Sequence, residues 1–261
     1  MEDMILLGQL QLMCNFEYQT ILNCHLHTQY GEMTSLTASC VVSFKEAYNT
    51  LCQMKEEQIE LIGQDEEGRQ ESLFSGLIDS AELKNVGDYT ILELQAVSYI
   101  RQMDVEKKSR SFQDITRTYR DITEEIAKEY SFTVRWNLPD GAIPCPLIQY
   151  QETDYQFLRR IVSHLGGRLL PEDYGKKKEI HIGLPQKKAG QIDLAQHKYA
   201  ALLYKKSGRT FVQDRRQGYR IYGREFIRVG ETVTISGREY CIMDCEVCFD
   251  HNSIERYGPI S

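Results

Sequence analysis

The chain has 261 residues, 41% hydrophobic and 26% charged, with a formal net charge of −7. That composition belongs to a folded chain and excludes a disordered one, and the acidic balance excludes a broad basic face for nucleic acid. No apolar run reaches membrane-spanning length, Met1-Glu2-Asp3 is acidic where a secretory signal is basic, and the 8 cysteines are irregularly spaced. The protein is therefore expected to be made in the cytoplasm without a signal peptide and to keep its thiols reduced.

In chain order, Ile5 to Met13, Thr20 to Gln29 and Leu36 to Val42 read as strands. Phe44 to Met54 reads as a short helix with Ser43 at its N-cap and Phe44, Ala47, Tyr48, Leu51 and Cys52 on one side. Gln58 to Gly63 returns to strand before the turn Asp65-Glu66-Glu67-Gly68, and Leu73 to Leu83 with Tyr89 to Ile100 form a hairpin across Asn85-Val86-Gly87-Asp88. Short strands joined by turns describe a small antiparallel barrel or sandwich, ending near Gln113.

Asp104 to Arg110 is charged and reads as a surface loop. Thr118 to Tyr130 is a helix with Tyr119, Ile122, Ile126 and Tyr130 on one face, and Ser131 to Trp136 is a strand. Leu147 to Gln151 is a short strand held extended by Pro144 and Pro146. It runs into the most legible helix of the chain. Thr153 and Gln156 have capping-box spacing, Asp154 places negative charge at the positive end of the helix dipole, and Phe157, Leu158, Ile161, Val162 and Leu165 form the apolar stripe. Gly166-Gly167 supplies the left-handed residue that ends it. Arg168 to Leu170 and Glu179 to Gly183 are strands around the charged turn Asp173 to Lys178, and Gln186 to Gln196 reads as a linker. Five further strands follow: Tyr199 to Tyr204, Thr210 to Gln213, Tyr219 to Tyr222, Glu231 to Ile235 and Tyr240 to Phe249, the last two separated by Ser236-Gly237-Arg238. They imply a second antiparallel unit.

Candidate chemistry is sparse. Cys241, Cys245 and Cys248 lack the paired C-x₂-C spacing of a zinc knuckle, and Cys241 and Cys245 fall on the apolar side of an alternating strand. His25 and His27 share a strand face, with no third ligand nearby in the sequence. His164 suits the C-terminal end of a helix. Glu56-Glu57, Asp65-Glu66-Glu67, Glu124-Glu125 and Lys176-Lys177-Lys178 read as solvated faces or loop tips. No nucleophile elbow, phosphate loop, dinucleotide fingerprint or metalloprotease helix is present, so no catalytic, cofactor-binding or metal residue is assigned and no cofactor is expected.

Two segments carry a resemblance. Gln149-Tyr150-Gln151-Glu152-Thr153-Asp154-Tyr155-Gln156-Phe157-Leu158 resembles the Q-Y-x-E-S-D-x-x-F-L segment of phage tail baseplate-hub proteins, a group that includes the late control D proteins and the hub part of VgrG spikes of contractile injection systems. Arg110-Ser111-Phe112-Gln113-Asp114, followed by Thr118-Tyr119-Arg120-Asp121-Ile122, is similar to that family's R-S-F-Q … T-Y-x-D-I, in the same order and at the same separation. The resemblance covers most of the chain and is weakest at the N-terminus. Members often continue into an oligosaccharide-binding-fold domain and a β-helical spike, whereas this sequence stops at Ser261.

The resemblance implies a mostly β protein with minor α: two small antiparallel β-barrels joined by a helical connector. The expected division is an N-terminal barrel over 1–113, a connector with short strands over 114–196, and a second barrel unit over 197–261 that strands from 147–184 are available to complete. It implies a structural hub, with no enzymatic activity. Three chains form a ring between the sixfold tail tube and the threefold central spike, in a phage tail or injection particle. The tail tube protein and the spike are the implied partners, with no membrane segment and no specific nucleic-acid binding. A carbohydrate- or protein-binding tail accessory module, and behind it a tail-associated hydrolase, are the alternatives.

Overall fold

The computed structural model describes residues 7–64, 68–185, 192–193, 201–206, 215–221, 228–235, 238–249 and 254–260. A short 3₁₀ turn over Leu7–Gln9 leads into β1 (Leu10–Met13), β2 (Thr20–Gln29) and β3 (Ser35–Val42). Helix α1 (Phe44–Gln53) is followed by β4 (Gln58–Gln64), the long β5 (Gln70–Val86) and β6 (Tyr89–Ser98). Then come β7 (Lys107–Phe112), α2 (Tyr119–Glu129), β8 (Thr133–Trp136), β9 (Leu147–Thr153) and α3 (Asp154–Ser163). The last third is strands: β10 (Leu169–Glu172), β11 (Glu179–Ile182), β12 (Ile192–Asp193), β13 (Ala201–Lys206), β14 (Arg215–Ile221), β15 (Thr232–Ile235), β16 (Arg238–Cys241), β17 (Asp244–Phe249) and β18 (Ile254–Ile260). The fold is mostly β with minor α, as the sequence implies.

The main sheet has ten strands in the order β1-β4-β5-β6-β3-β2-β17-β18-β14-β13. Every neighbouring pair in it is antiparallel. The N-terminal strand group and the C-terminal one therefore meet in a single sheet, joined where Cys24 to Gln29 of β2 face Phe249 to Asp244 of β17. Alternation decides which face is buried: Cys24 and Leu26 of β2 and Cys245, Val247 and Phe249 of β17 point inward, while His25, His27, Asp244, Glu246 and Cys248 lie on the other face. The inward side chains join Leu36, Leu61, Phe74, Leu92 and Ile242 in one apolar core.

A second core lies under the helices. Ile122 and Ile126 of α2 and Phe157, Leu158, Ile161 and Val162 of α3 pack with Ile100, Met103, Phe112, Ile180 and Ile182, all buried. The expected stripe of α3 is thus its buried face, except that Leu165 is only partly covered. The capping box forms in both directions: Gln156 N–H donates to Thr153 Oγ1 at 3.2 Å and Thr153 N–H donates to Gln156 Oε1 at 3.2 Å. Gly166, at φ +72°, takes the left-handed conformation that ends the helix. Thr153 Oγ1 also donates to Asp104 Oδ1. Thr153→Ala is expected to cost about 1–2 kcal/mol, the upper part of the N-cap range because the hydroxyl's bonds to both Gln156 N–H and Asp104 go. Urea unfolding measures it, and Thr153→Ser should recover most of the loss.

Four local expectations change. Asp104 to Arg110 is not a loop from Lys107 onward, because β7 pairs antiparallel with β9 and its Lys108 and Arg110 share one buried carboxylate, Asp154. On α1 the expected apolar side splits: Ala47 is buried, but Phe44 and Tyr48 stack on each other, 5.8 Å between centroids, at about half exposure. Ser43 occupies the N-cap with no side-chain bond. The strand expected over Tyr240 to Phe249 breaks at Ile242-Met243, where Ile242 exchanges backbone bonds with Glu231 and Gly230 instead. Cys245 is therefore buried on β17 as expected, but Cys241 is half-buried on β16. Ile5 and Leu6, Asp65-Glu66-Glu67, most of Gln186 to Gln196, Tyr199, Thr210 to Gln213, Tyr222 and Ser236-Gly237 lie outside the described residues.

Candidate functional site

The two motif segments occupy neighbouring strands. β7 carries Arg110 and Phe112, β9 carries Gln149, and the register shifts between Lys108 and Ser109 where Gln151, at φ +51°, bulges out of β9. Beyond the bulge β9 runs directly into α3, which places Asp154 at the first helical position behind Gln149.

Asp154 is fully buried and its carboxylate is saturated with donors. Oδ1 accepts from Arg110 Nη2 at 2.5 Å and Gln149 Nε2 at 2.9 Å. Oδ2 accepts from Lys108 Nζ at 2.8 Å and Tyr130 OH at 2.7 Å. Glu129 closes the ring, accepting from Lys108 and Arg110 at 2.8 and 2.6 Å. Gln149 is tied on its other side: its Oε1 accepts from Arg110 Nε at 2.8 Å and its Nε2 also donates to the Glu152 carbonyl at 3.0 Å. Glu152 in turn takes two bonds from the Arg160 guanidinium, at 2.9 and 2.7 Å. Below the ring Phe112 stacks on Phe157, 5.5 Å between centroids.

Burial drives the Asp154 carboxyl up, but the bonds from Lys108, Gln149 and Tyr130 and the charge of Arg110 outweigh it and hold it below the usual carboxylate range. The same contest, won by Lys108 and Arg110, lowers Glu129. A carboxylate lowered in the folded state stabilises it above the unfolded value near pH 4 and loses that contribution as pH falls through the folded one. With all its acceptor sites taken, Asp154 has none left for a substrate proton. The cluster is a clasp between two strands and two helices, with no catalytic geometry.

Three other groups gather polar atoms. On the outer face of the main sheet His25 Nε2 lies 2.7 Å from Glu246 Oε1, with Cys248 beside them, and His27 Nε2 lies 3.1 Å from Asp244 Oδ1. The hydrogen bond to Asp244 raises the His27 pKa. Under the helical layer His181 Nε2 bonds Glu172 Oε2 at 2.8 Å and lies 3.7 Å from Glu179 Oε1, itself held by Arg135 Nε at 3.0 Å. Next to it Asp173 lines an apolar cleft with Leu26, Thr34, Leu73, Leu170 and Val247. Asp173 is buried, its Oδ2 makes no hydrogen bond, and burial, reinforced by Glu172, pushes its carboxyl up to about 8.

The other residues singled out in the sequence are local. His164 caps the C-terminus of α3 and meets Tyr119 edge-on. Glu124 pairs with Arg120, Glu125 with Arg117, and Glu57 accepts from Asn15. Lys176 reaches Glu60 from a largely exposed position, whereas Lys178 leaves the solvated tip for Gln102 Oε1 and the rings of Tyr99 and Phe132. The Asp154 clasp went unseen in the sequence because its members span 108 to 154; the adjacency of a basic strand and the Q-Y-Q-E-T-D segment was the signal that could have found it.

The profile of the phage tail baseplate hub (GPD) family matches residues 42–178, just over half of the chain and all of the clasp. No curated protein sequence matches it. Among solved structures, the 43 kDa tail protein of prophage MuSo2 from Shewanella oneidensis is similar at 13% identity and TM-score 0.71, over 96% of this chain and 97% of that one. The E. coli c3393 protein, a component of the type VI secretion system, is similar at 11% identity and TM-score 0.70, over 96% and 76%. A tail protein from Neisseria meningitidis MC58 follows at 10% identity and TM-score 0.67, over 97% and 95%. At these identities the likeness is one of fold.

Proposed function

The chain belongs to the phage tail baseplate hub (GPD) family, a tail structural protein of VgrG-like fold, and from that premise we propose that it acts by assembly. Three copies would close into a ring, each contributing two barrel-like units, so that six units face a sixfold tail tube and three chains lead to a central spike. In this reading 1–113 is the first unit, 114–196 the connector and 197–261 the second, completed by strands from 147–184. The partners are the tail tube protein and the spike, the place is a tail or injection particle, and no catalysis is involved. No helix among the described residues is long and apolar enough to cross a membrane.

The family match over 42–178 carries this reading. Exposed apolar side chains support it: Phe44 and Tyr48 on α1, Val86 and Tyr89 at the β5–β6 turn, and Ile148 and Tyr150 on β9, the last 74% exposed. They lie on three separate elements, which suits contacts with several neighbours more than one sugar-binding platform. Light scattering of the full chain at high concentration tests the ring: a mass of about three chains is expected. A monomer at every concentration, alone and mixed with a tail tube protein, would sink it.

A further inference from the structure

We propose that the chain binds a transition-metal ion, zinc by preference, on the outer face of the seam between β2 and β17, through His25, Glu246 and Cys248. Three observations converge on those residues.

The first is register. His25 of β2 stands directly opposite Cys248 of β17, and Glu246 lies two residues along β17 on the same face. Directly opposed side chains start about 4.5–5.5 Å apart at Cβ, within reach of one ion.

The second is the donor set and its spacing. An imidazole nitrogen, a carboxylate oxygen and a thiol sulfur, all within 4.8 Å of one another, are the three donor types that zinc prefers. Tetrahedral bonds of about 2.0–2.3 Å put ligand atoms roughly 3.3–3.7 Å apart. His25 Nε2 and Glu246 Oε1, now 2.7 Å apart, need only separate slightly, and side-chain rotation closes the sulfur onto the pair. Binding releases the Cys248 thiol proton, and the imidazole proton where present, to solvent. Water takes the fourth position.

The third is access and competing charge. The His25 and Glu246 side chains are 36% and 42% exposed, so an ion can enter from solvent. The neighbouring pair is His27 with Asp244, whose carboxylate adds negative potential. The other trio, Glu172, Glu179 and His181, fails on this point: its side chains are only 9–12% exposed, Arg135 already occupies Glu179, and it has no sulfur. The inference stands apart from the hub reading. Its structural consequence is a staple across the line where the N-terminal and C-terminal strands join.

Cobalt(II) tests it, because a cobalt–thiolate bond gives a charge-transfer band and a tetrahedral site gives strong visible bands. The full chain, reduced and freed of metal with chelator, is titrated with Co²⁺. We expect both bands to saturate at about one ion per chain and to vanish when Zn²⁺ is added. They should be lost in Cys248→Ser and His25→Asn, and retained in Cys52→Ser and Cys145→Ser, which change the two exposed thiols. Circular dichroism checks each fold, and if Cys248→Ser unfolds, the solvent-facing His25→Asn decides. No band in the wild-type chain, or a band that survives His25→Asn or disappears with Cys52 or Cys145, would overturn the site.

Discussion

Asp154→Ala is expected to destabilise the chain by about 3–5 kcal/mol, the cost of removing one partner from a buried charge cluster. The magnitude follows from what is left behind. Lys108 and Arg110 are only 24% exposed, and both point at the vacated position. Gln149, fully buried, loses an acceptor for its amide, and Tyr130 loses one for its hydroxyl. Truncating the anion therefore costs more than the pairwise attraction was worth. A volume-matched change of the whole cluster to apolar residues should cost far less, since the orphaned cations go with it. The contrast is Arg120→Ala, which breaks a surface pair with Glu124 and should leave urea unfolding unchanged. If Asp154→Ala and Arg120→Ala melt together, the clasp is not what joins the two strands to the two helices.

Asp173→Asn should change the pH dependence of stability more than its mean. The Asp173 carboxyl has a folded pKa of about 8, against about 3.9 unfolded. The shift is upward, so the folded chain binds a proton that the unfolded chain has already released. Below about pH 4 both states are protonated and the group costs nothing. As pH rises from there to about 8, stability falls with a slope approaching 1.4 kcal/mol per unit, roughly one proton's worth, and beyond 8 the loss is constant. An amide carries no such linkage. The variant should match the wild type near pH 4 and exceed it increasingly toward pH 8. Parallel stability curves for the two chains over that window would mean that Asp173 reaches water or a partner in solution.

What could be read ahead of the structure was local. The capping box of Thr153 and Gln156 and the stripe from Phe157 to Val162 are short-range patterns that formed as read, and the hairpin read across Asn85-Val86-Gly87-Asp88 formed with its turn narrowed to Gly87-Asp88. Long-range pairing was not readable. Lys107 to Arg110 reads as a loop because a strand carrying three cations needs anions to hold it, and those come from the exposed Glu129 and the buried Asp154, which lie 19 to 46 residues further on. No further ligand for His25 is visible nearby in the sequence because its partner Glu246 is 221 residues away. Phe44 and Tyr48 fit an inward face by periodicity alone, which says which residues share a side but not which side is covered. Cys241 illustrates a subtler loss: alternation carried it inward, but the strand ends at Cys241 and a new one starts at Asp244, so the parity resets.

The join between β2 and β17 also sets an order of events. Residue 25 cannot find residue 246 until 221 further positions have been synthesised, at a few to a few tens of residues per second. Until then β2 is paired with β3 on one side only, and its other side is a bare row of N–H and C=O groups. Closure across so long a loop is slow because its entropy must be spent before any contact rewards it. The nascent protein thus carries an open sheet edge until β17 has been made, and the outward-facing His25 and His27 put polar groups beside that edge while it waits.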